Sequence, residues 1–156
     1  MTNTHSTPKE ERILQLDTYW PYQLTVLADR ISRRTARVVK EEAGLNLSQW
    51  RVLAAIAEKP GRTSVDVVTI TPMDKGIVSR ATKALLDMKL VVRKASQEDG
   101  RVSHLYVTAK GKSLYQTLIP RVEAVLKRAE EILSGDDQIV LGDHLRQLMK
   151  VIPDQR

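Results

Sequence analysis

TSVDVVTITPMDKGIVSRATKALLDMKLVVRKASQEDGRVSHLYVT, residues 63–108, is the stretch on which the fold turns. Thr63 to Ile70 carries apolar Val65, Val67, Val68 and Ile70 over about two helical turns. Thr71-Pro72-Met73-Asp74 then reads as a helix start: Thr71 can cap, proline suits the first helical position, and Asp74 stands where a capping-box acid reaches back. A second helix is therefore predicted from near Pro72 to Lys89. Its Val78, Ala81, Leu85 and Met88, spaced three and four apart, form one buried face. Val91 to Ala95 and Ser103 to Thr108 are β-branched or alternating runs joined through Ser96 to Val102, with Asp99-Gly100 at the tip, and read as a hairpin. A short helix, a turn, a longer helix and a hairpin together make a winged helix.

The polar surfaces of this unit suit a duplex. Gly76, Ser79, Arg80 and Lys83 share the exposed face of the second helix, with Lys75 beside them near its start. A helix that enters the major groove needs such a narrow polar face, a small residue at the closest approach, and Arg or Lys for guanine edges and phosphates. Taken alone, the same face could be an ordinary solvated one. Arg93, Lys94 and Arg101 make the hairpin positive, and an arginine at a hairpin tip can enter a narrow minor groove. Ser64, at the start of the short helix, completes the candidate contacts.

Asp99-Gly100-Arg101, then Leu105 and Thr108, followed by Ala109-Lys110-Gly111, resembles the wing of the MarR family of bacterial transcription regulators. Leu47-Ser48-Gln49-Trp50-Arg51-Val52-Leu53 and Met73-Asp74-Lys75-Gly76-Ile77-Val78-Ser79-Arg80 resemble that family's second and recognition helices. The resemblance covers about residues 16 to 152, and the wing motif is its specific part. It implies that Asp99 braces Arg101 in the wing, and that Lys75, Ser79, Arg80 and Lys83 act from the recognition helix.

The chain of 156 residues is long enough for one or two small units sharing a core. Its formal charge of +6 points to anionic partners, nucleic acid first. With no cysteine, disulfides, thiolate metal sites and thiol-based oxidation sensing are all excluded. The polar start MTNTHSTPKEER lacks the apolar core of a signal peptide, and a cytoplasmic protein is expected.

Residues 1–12 are expected to form a flexible arm. A long helix should follow, from the neighbourhood of Ile13 or Pro21 to Ala43, stopped by Gly44. Arg30, Arg33, Arg34 and Arg37 fall on one of its faces, where like charges at helical spacing call for an anion or acidic neighbours. Both readings stay open. Leu47 to Glu58 is the next helix, with Ser48 as its expected cap and Pro60-Gly61 as its end. Trp50 suits the core; the resemblance implies instead a ligand pocket between the first, second and fifth helices, where Trp50, Tyr19 or Trp20 stacks on an aromatic effector. Beyond the wing, a helix from Ala109 to Leu133 should bend at Pro120, and Ser134 and Asp137 should cap a last helix.

Leu126, Ile132, Leu141, Leu145, Leu148 and Ile152 form terminal apolar stripes with no evident partner in one small winged helix, so a twofold homodimer is expected. No phosphate-binding or dinucleotide motif is present, and His5, His104 and His144 are isolated; no metal site, cofactor or catalytic constellation is expected. The expected fold is mainly α with a small β-wing, about six helices and a two- or three-stranded wing sheet. Residues 45–108 would form the DNA-binding domain, with 13–44 and 109–156 the helical dimerisation region. The resemblance implies a dimeric regulator on a palindromic operator, most simply a repressor released by a small anionic effector. A phenolic acid or an acyl-CoA would suit Arg33, Arg37 and the neighbouring aromatics. A sequence-independent DNA-coating protein and a helical protein-interaction module remain alternatives.

Overall fold

The computed structural model describes residues 12–154. They fall into two compact units divided between Arg30 and Ile31. The expected arm lies outside the described residues apart from Arg12. Six α-helices and one antiparallel hairpin follow in order: α1 Trp20–Ala43, α2 Leu47–Glu58, α3 Ser64–Ile70, α4 Lys75–Asp87, β1 Val91–Ala95, β2 Ser103–Val107, α5 Ala109–Glu123 and α6 Gly135–Val151, with a 3-10 segment at Ala124–Glu131. The expected mainly helical fold with a β-wing is what the chain adopts. No helix among the described residues is long and apolar enough to cross a membrane.

The core of the second unit gathers one face from each short helix and the inner side of the hairpin. Val52, Leu53 and Ile56 of α2, Val67 of α3, and Val78 and Leu85 of α4 are fully buried, joined by Val91 and Leu105 of the strands and Leu118 of α5. Each such side chain taken from water contributes roughly 1.5–3 kcal/mol, so this cluster holds the helix pair and the hairpin as one body. Beyond Gly44, left-handed at φ +68°, Leu45 is fully buried and its N–H donates to the Val39 carbonyl at 3.2 Å. That contact fixes the corner between α1 and α2.

Three helix boundaries differ from the sequence reading, each for a local reason. The α2 cap is Asn46 instead of Ser48, because Gln49 can complete a reciprocal capping box only from the third position after Asn46. The α4 helix starts at Lys75 instead of near Pro72, capped by the Asp74 carboxylate, which accepts the Ile77 N–H at 2.7 Å. Thr71 is not that cap; it is buried and donates its hydroxyl to the Val67 carbonyl at 2.7 Å. Pro72 disfavours helix in the residue before it and Met73 is buried as an anchor, so the turn lasts until Asp74. The long fifth helix ends its α section at Glu123 instead of Leu133. Pro120 removes the amide that would bond one turn back, and past it the chain tightens into 3-10 geometry.

Candidate nucleic-acid interface

Helix α3 is set by a capping box: Thr63 and Asp66 exchange side-chain to backbone bonds, and Thr63 Oγ1 also donates to the same carboxylate at 2.9 Å. The backbone N–H and then the hydroxyl of Thr63 hold the Asp66 carboxyl below its ordinary value. Ser64, the first residue of α3, is half-buried. Against this short helix, α4 buries Val78, Ala81, Thr82 and Leu85. Lys75, Gly76, Ser79, Arg80 and Lys83 are all exposed on its other side. Lys83 reaches Asp87 at 3.0 Å, but both side chains are open to solvent, so the pair is weak and easily exchanged for a phosphate. A Cβ at Gly76 would lie 3.3 Å from both Arg80 Nη1 and Asp74 Oδ1. The missing side chain leaves the space over which the Arg80 guanidinium lies.

The wing is a two-stranded antiparallel sheet in the register Val91↔Val107 through Ala95↔Ser103. Its tip is closed by side chains that accept backbone N–H groups. Ser96 Oγ accepts the N–H groups of Glu98 and Asp99 at 3.2 and 3.3 Å, and Asp99 Oδ1 accepts the Arg101 N–H at 2.9 Å. The Asp99 carboxylate thus braces the backbone of Arg101, leaving that arginine exposed at the tip. Arg93 and Lys94 are exposed on β1, and Lys94 Nζ stands 4.9 Å from the centre of the Tyr106 ring, within cation–π range.

Sequence reading missed how the base of the wing is anchored. Gly61 N–H donates to the Leu105 carbonyl and Leu105 N–H to the Arg62 carbonyl, both at 2.9 Å, so the α2–α3 loop pairs with the free edge of β2. His104 Nδ1 meets the Gly61 carbonyl at 2.7 Å. Gly61 has φ +88°, and a Cβ there would lie 3.2 Å from the Tyr106 hydroxyl. Pro60-Gly61 reads in sequence only as a helix stop; the signal that glycine also admits a tyrosine lay forty-five residues downstream. On the far side, Thr108 caps α5 and donates its hydroxyl to the Lys89 carbonyl at 2.8 Å, while its N–H bonds the Leu90 carbonyl at 3.0 Å. Gly111 is buried so closely that a Cβ would sit 2.0 Å from the Leu90 carbonyl oxygen.

The expected effector residues are placed in different ways. Tyr19 and Trp20 are exposed in the first unit, beside the start of α1. Arg33 and Arg37 are exposed on the α1 part of the second unit. Trp50 is half-buried on α2 and stacks on Tyr115 of α5, with ring centres 5.4 Å apart and planes 26° apart. Glu42, near the end of α1, meets Arg121 of α5 at 3.9 Å. Arg51 bonds the Ser32 hydroxyl at 3.0 Å, and burial pushes its guanidinium below the ordinary value. Of the expected dimer residues, Leu126, Ile132, Leu141 and Ile152 are exposed, Ile132 by 83%, and Leu145 and Leu148 are half-buried.

Residues 43–102 match the family model described as MarR family. The transcriptional regulator HosA of Escherichia coli O111:H- is 27% identical over 123 residues, 79% of this chain and 91% of HosA. Among solved structures, a MarR-family transcriptional regulator from Silicibacter pomeroyi superposes with TM-score 0.81 at 22% identity, covering 93% of this chain and 99% of that one. CouR from Rhodococcus jostii RHA1, solved with p-coumaroyl-CoA bound, superposes with TM-score 0.78 at 18% identity, over 91% of this chain and all of CouR.

Proposed function

We propose that this chain, similar to the MarR family of transcription regulators over residues 43–102 and to the regulator HosA, is a dimeric repressor that binds a palindromic operator and leaves it on binding a small anionic effector. The observation that carries the DNA reading is the row of exposed Lys75, Ser79, Arg80 and Lys83 on a helix whose opposite face is locked in the core, flanked by a wing with Arg93, Lys94 and Arg101. Helix α4 supplies base-edge and phosphate contacts in the major groove, with Gly76 admitting the duplex closely, and Ser64 bonds the backbone nearby. Arg101, held out by the Asp99 brace, enters the adjacent minor groove. These contacts fall on the 45–108 domain.

The dimer is supported by what α6 lacks. None of its residues is buried, and Leu126, Leu133, Leu141 and Leu145 line a groove of about 510 Å³ between the 3-10 segment and α6. A second copy seated there, with Ile132, Leu148 and Ile152 at the seam, covers apolar surface that one chain leaves in water. Two α4 helices related by a dyad then address half-sites about 34 Å apart. An effector carrying a carboxylate or phosphates engages Arg33 and Arg37 and stacks near Trp50; CouR, with its acyl-CoA, is a precedent for such a ligand in this fold. The effector acts by binding more tightly to the form whose helix spacing misses the operator, since a ligand with equal affinity for both forms shifts nothing.

Footprinting on the DNA upstream of the gene tests the reading: protection symmetric about a dyad, with two chains per duplex, is expected. Protection without symmetry or sequence preference would leave a DNA-coating protein. For the effector, unchanged affinity in Arg33→Ala and Arg37→Ala would remove those residues from the site.

A further inference from the structure

Helix α4 ends in a Schellman motif: the Leu90 N–H donates to the Leu85 carbonyl at 3.0 Å and the Lys89 N–H to the Leu86 carbonyl at 2.9 Å. That motif needs left-handed backbone just past the helix, a place that glycine normally takes. Here the residue is Lys89, at φ +58°, the one non-glycine residue with positive φ among the described residues. A side chain in this region strains the turn and narrows the angles it can visit. The exit of α4 therefore holds a strained residue where glycine would sit without cost. The three carbonyls at this exit are all bonded by the start of α5. Lys110 Nζ donates to the Met88 carbonyl at 3.1 Å, the Thr108 hydroxyl to that of Lys89 at 2.8 Å, and the Thr108 N–H to that of Leu90 at 3.0 Å. The Lys110 ammonium also stands at the C-terminal end of α4, the end that a cation stabilises.

We propose that Lys89 and Lys110 are positioning residues for DNA reading: they fix the angle between α4 and α5, and through it the separation of the two α4 helices in the dimer. This role rests on the dimeric regulator reading. Both lysines are exposed, so neither is needed to fill the core. Thr108 belongs to the same joint but also caps α5, so its loss would undo a helix as well. A stiff joint makes affinity depend sharply on the spacing of the two half-sites. A loose one spreads affinity over neighbouring spacings, while each α4 surface keeps its own contacts.

Anisotropy titrations of the full-length protein test this with three probes: the duplex upstream of its gene, the same duplex with one base pair inserted at the dyad, and a single half-site. The insertion moves one half-site by about 3.4 Å and turns it by about 34°. Wild type should lose about thirtyfold on the insertion, half of a thousandfold preference on a logarithmic scale, and Lys110→Met only about threefold. Lys110→Met should also bind the native duplex about three- to tenfold more weakly, with its half-site affinity within about twofold of wild type. Lys110→Arg, which keeps a donor, should behave as wild type. Lys89→Gly should melt at or above the wild-type temperature by circular dichroism and still show the relaxed spacing dependence. Lys89→Asn loses the same charge but holds the left-handed turn more narrowly than glycine, and should keep the wild-type dependence. Undiminished spacing dependence in Lys110→Met or Lys89→Gly overturns the inference. So does a lower half-site affinity with a salt slope reduced by about one, which would make Lys110 a phosphate contact. A wild type with no preference for the native duplex over a scrambled one sinks the regulator reading itself.

Discussion

Of the glycines, Gly111 leaves the least room for a Cβ, and the cost of Gly111→Ala can be worked from the junction it disturbs. The added Cβ would lie 2.0 Å from the Leu90 carbonyl oxygen and 2.8 Å from Val107 Cγ1. The first is a backbone atom and cannot rotate away, so the start of α5 must withdraw from the strand by more than an ångström. That movement stretches the Thr108 N–H bond to Leu90 and the Thr108 hydroxyl bond to Lys89. Overpacking of this kind costs roughly 3 kcal/mol, and two weakened hydrogen bonds add about 2 kcal/mol. Replacing a helical glycine by alanine returns about 1 kcal/mol through propensity. The net is a destabilisation of about 4 kcal/mol, a large part of the roughly 5–15 kcal/mol that holds a domain. Urea unfolding followed by circular dichroism should show the midpoint fall by about 2 M for an m-value near 2 kcal/mol/M. Gly135→Ala, which meets nothing within 4 Å, is the control and should stay within about 0.5 kcal/mol of the wild type. A Gly111→Ala protein as stable as that control would refute the close approach of α5 to Leu90.

Arg101→Ala should weaken operator binding by about 1–2 kcal/mol, roughly 5- to 30-fold in an anisotropy titration, without changing the melting temperature; equal affinity would remove the wing from the interface. Leu141→Glu/Leu145→Glu places charge in the groove beside α6 and should leave a 17.6 kDa species in sedimentation at micromolar concentration; an unchanged dimer would put the subunit contact elsewhere. Asp66 is held below its ordinary value of 3.8, first by the backbone N–H and then by the hydroxyl of Thr63. A depressed folded value means that its contribution is complete above the unfolded value and is lost as pH falls through the lower folded one. The stability gap between wild type and Asp66→Asn should therefore hold steady from neutral pH down to about 4 and close below it; a gap that closed near neutrality would contradict this.

The parts of the fold that one element declares by itself were legible in the sequence. The periodicity of Val78, Ala81 and Leu85 gave the buried face of α4, and Asp99-Gly100 between two β-branched runs gave the hairpin. What was not legible depends on competition between neighbours or on distant residues. Thr71 and Asp74 both suit a cap, and the choice fell to Asp74 because Met73 is anchored in the core and Thr71 bonds back to Val67. Asn46 displaced Ser48 through the reach of Gln49. The pairing of Gly61 and Arg62 with Leu105, and the fit of Gly111 against Leu90, join segments many residues apart and leave no periodic trace. Lys75, Arg80 and Lys83 were legible as an exposed set on α4, since their spacing keeps them off its buried face.

The central claim, that α4 and the wing read a particular DNA sequence, is tested most directly by fluorescence anisotropy. The protein would be titrated at near-physiological salt into the duplex upstream of its own gene and into a scrambled duplex of equal length. A regulator of this kind should prefer the native duplex by about a thousandfold or more. Loss of each phosphate-contacting lysine should lower the slope of log affinity against log salt by about one. Equal affinity for both duplexes, with the same steep salt dependence, would contradict sequence-specific reading and leave charge alone to account for the binding.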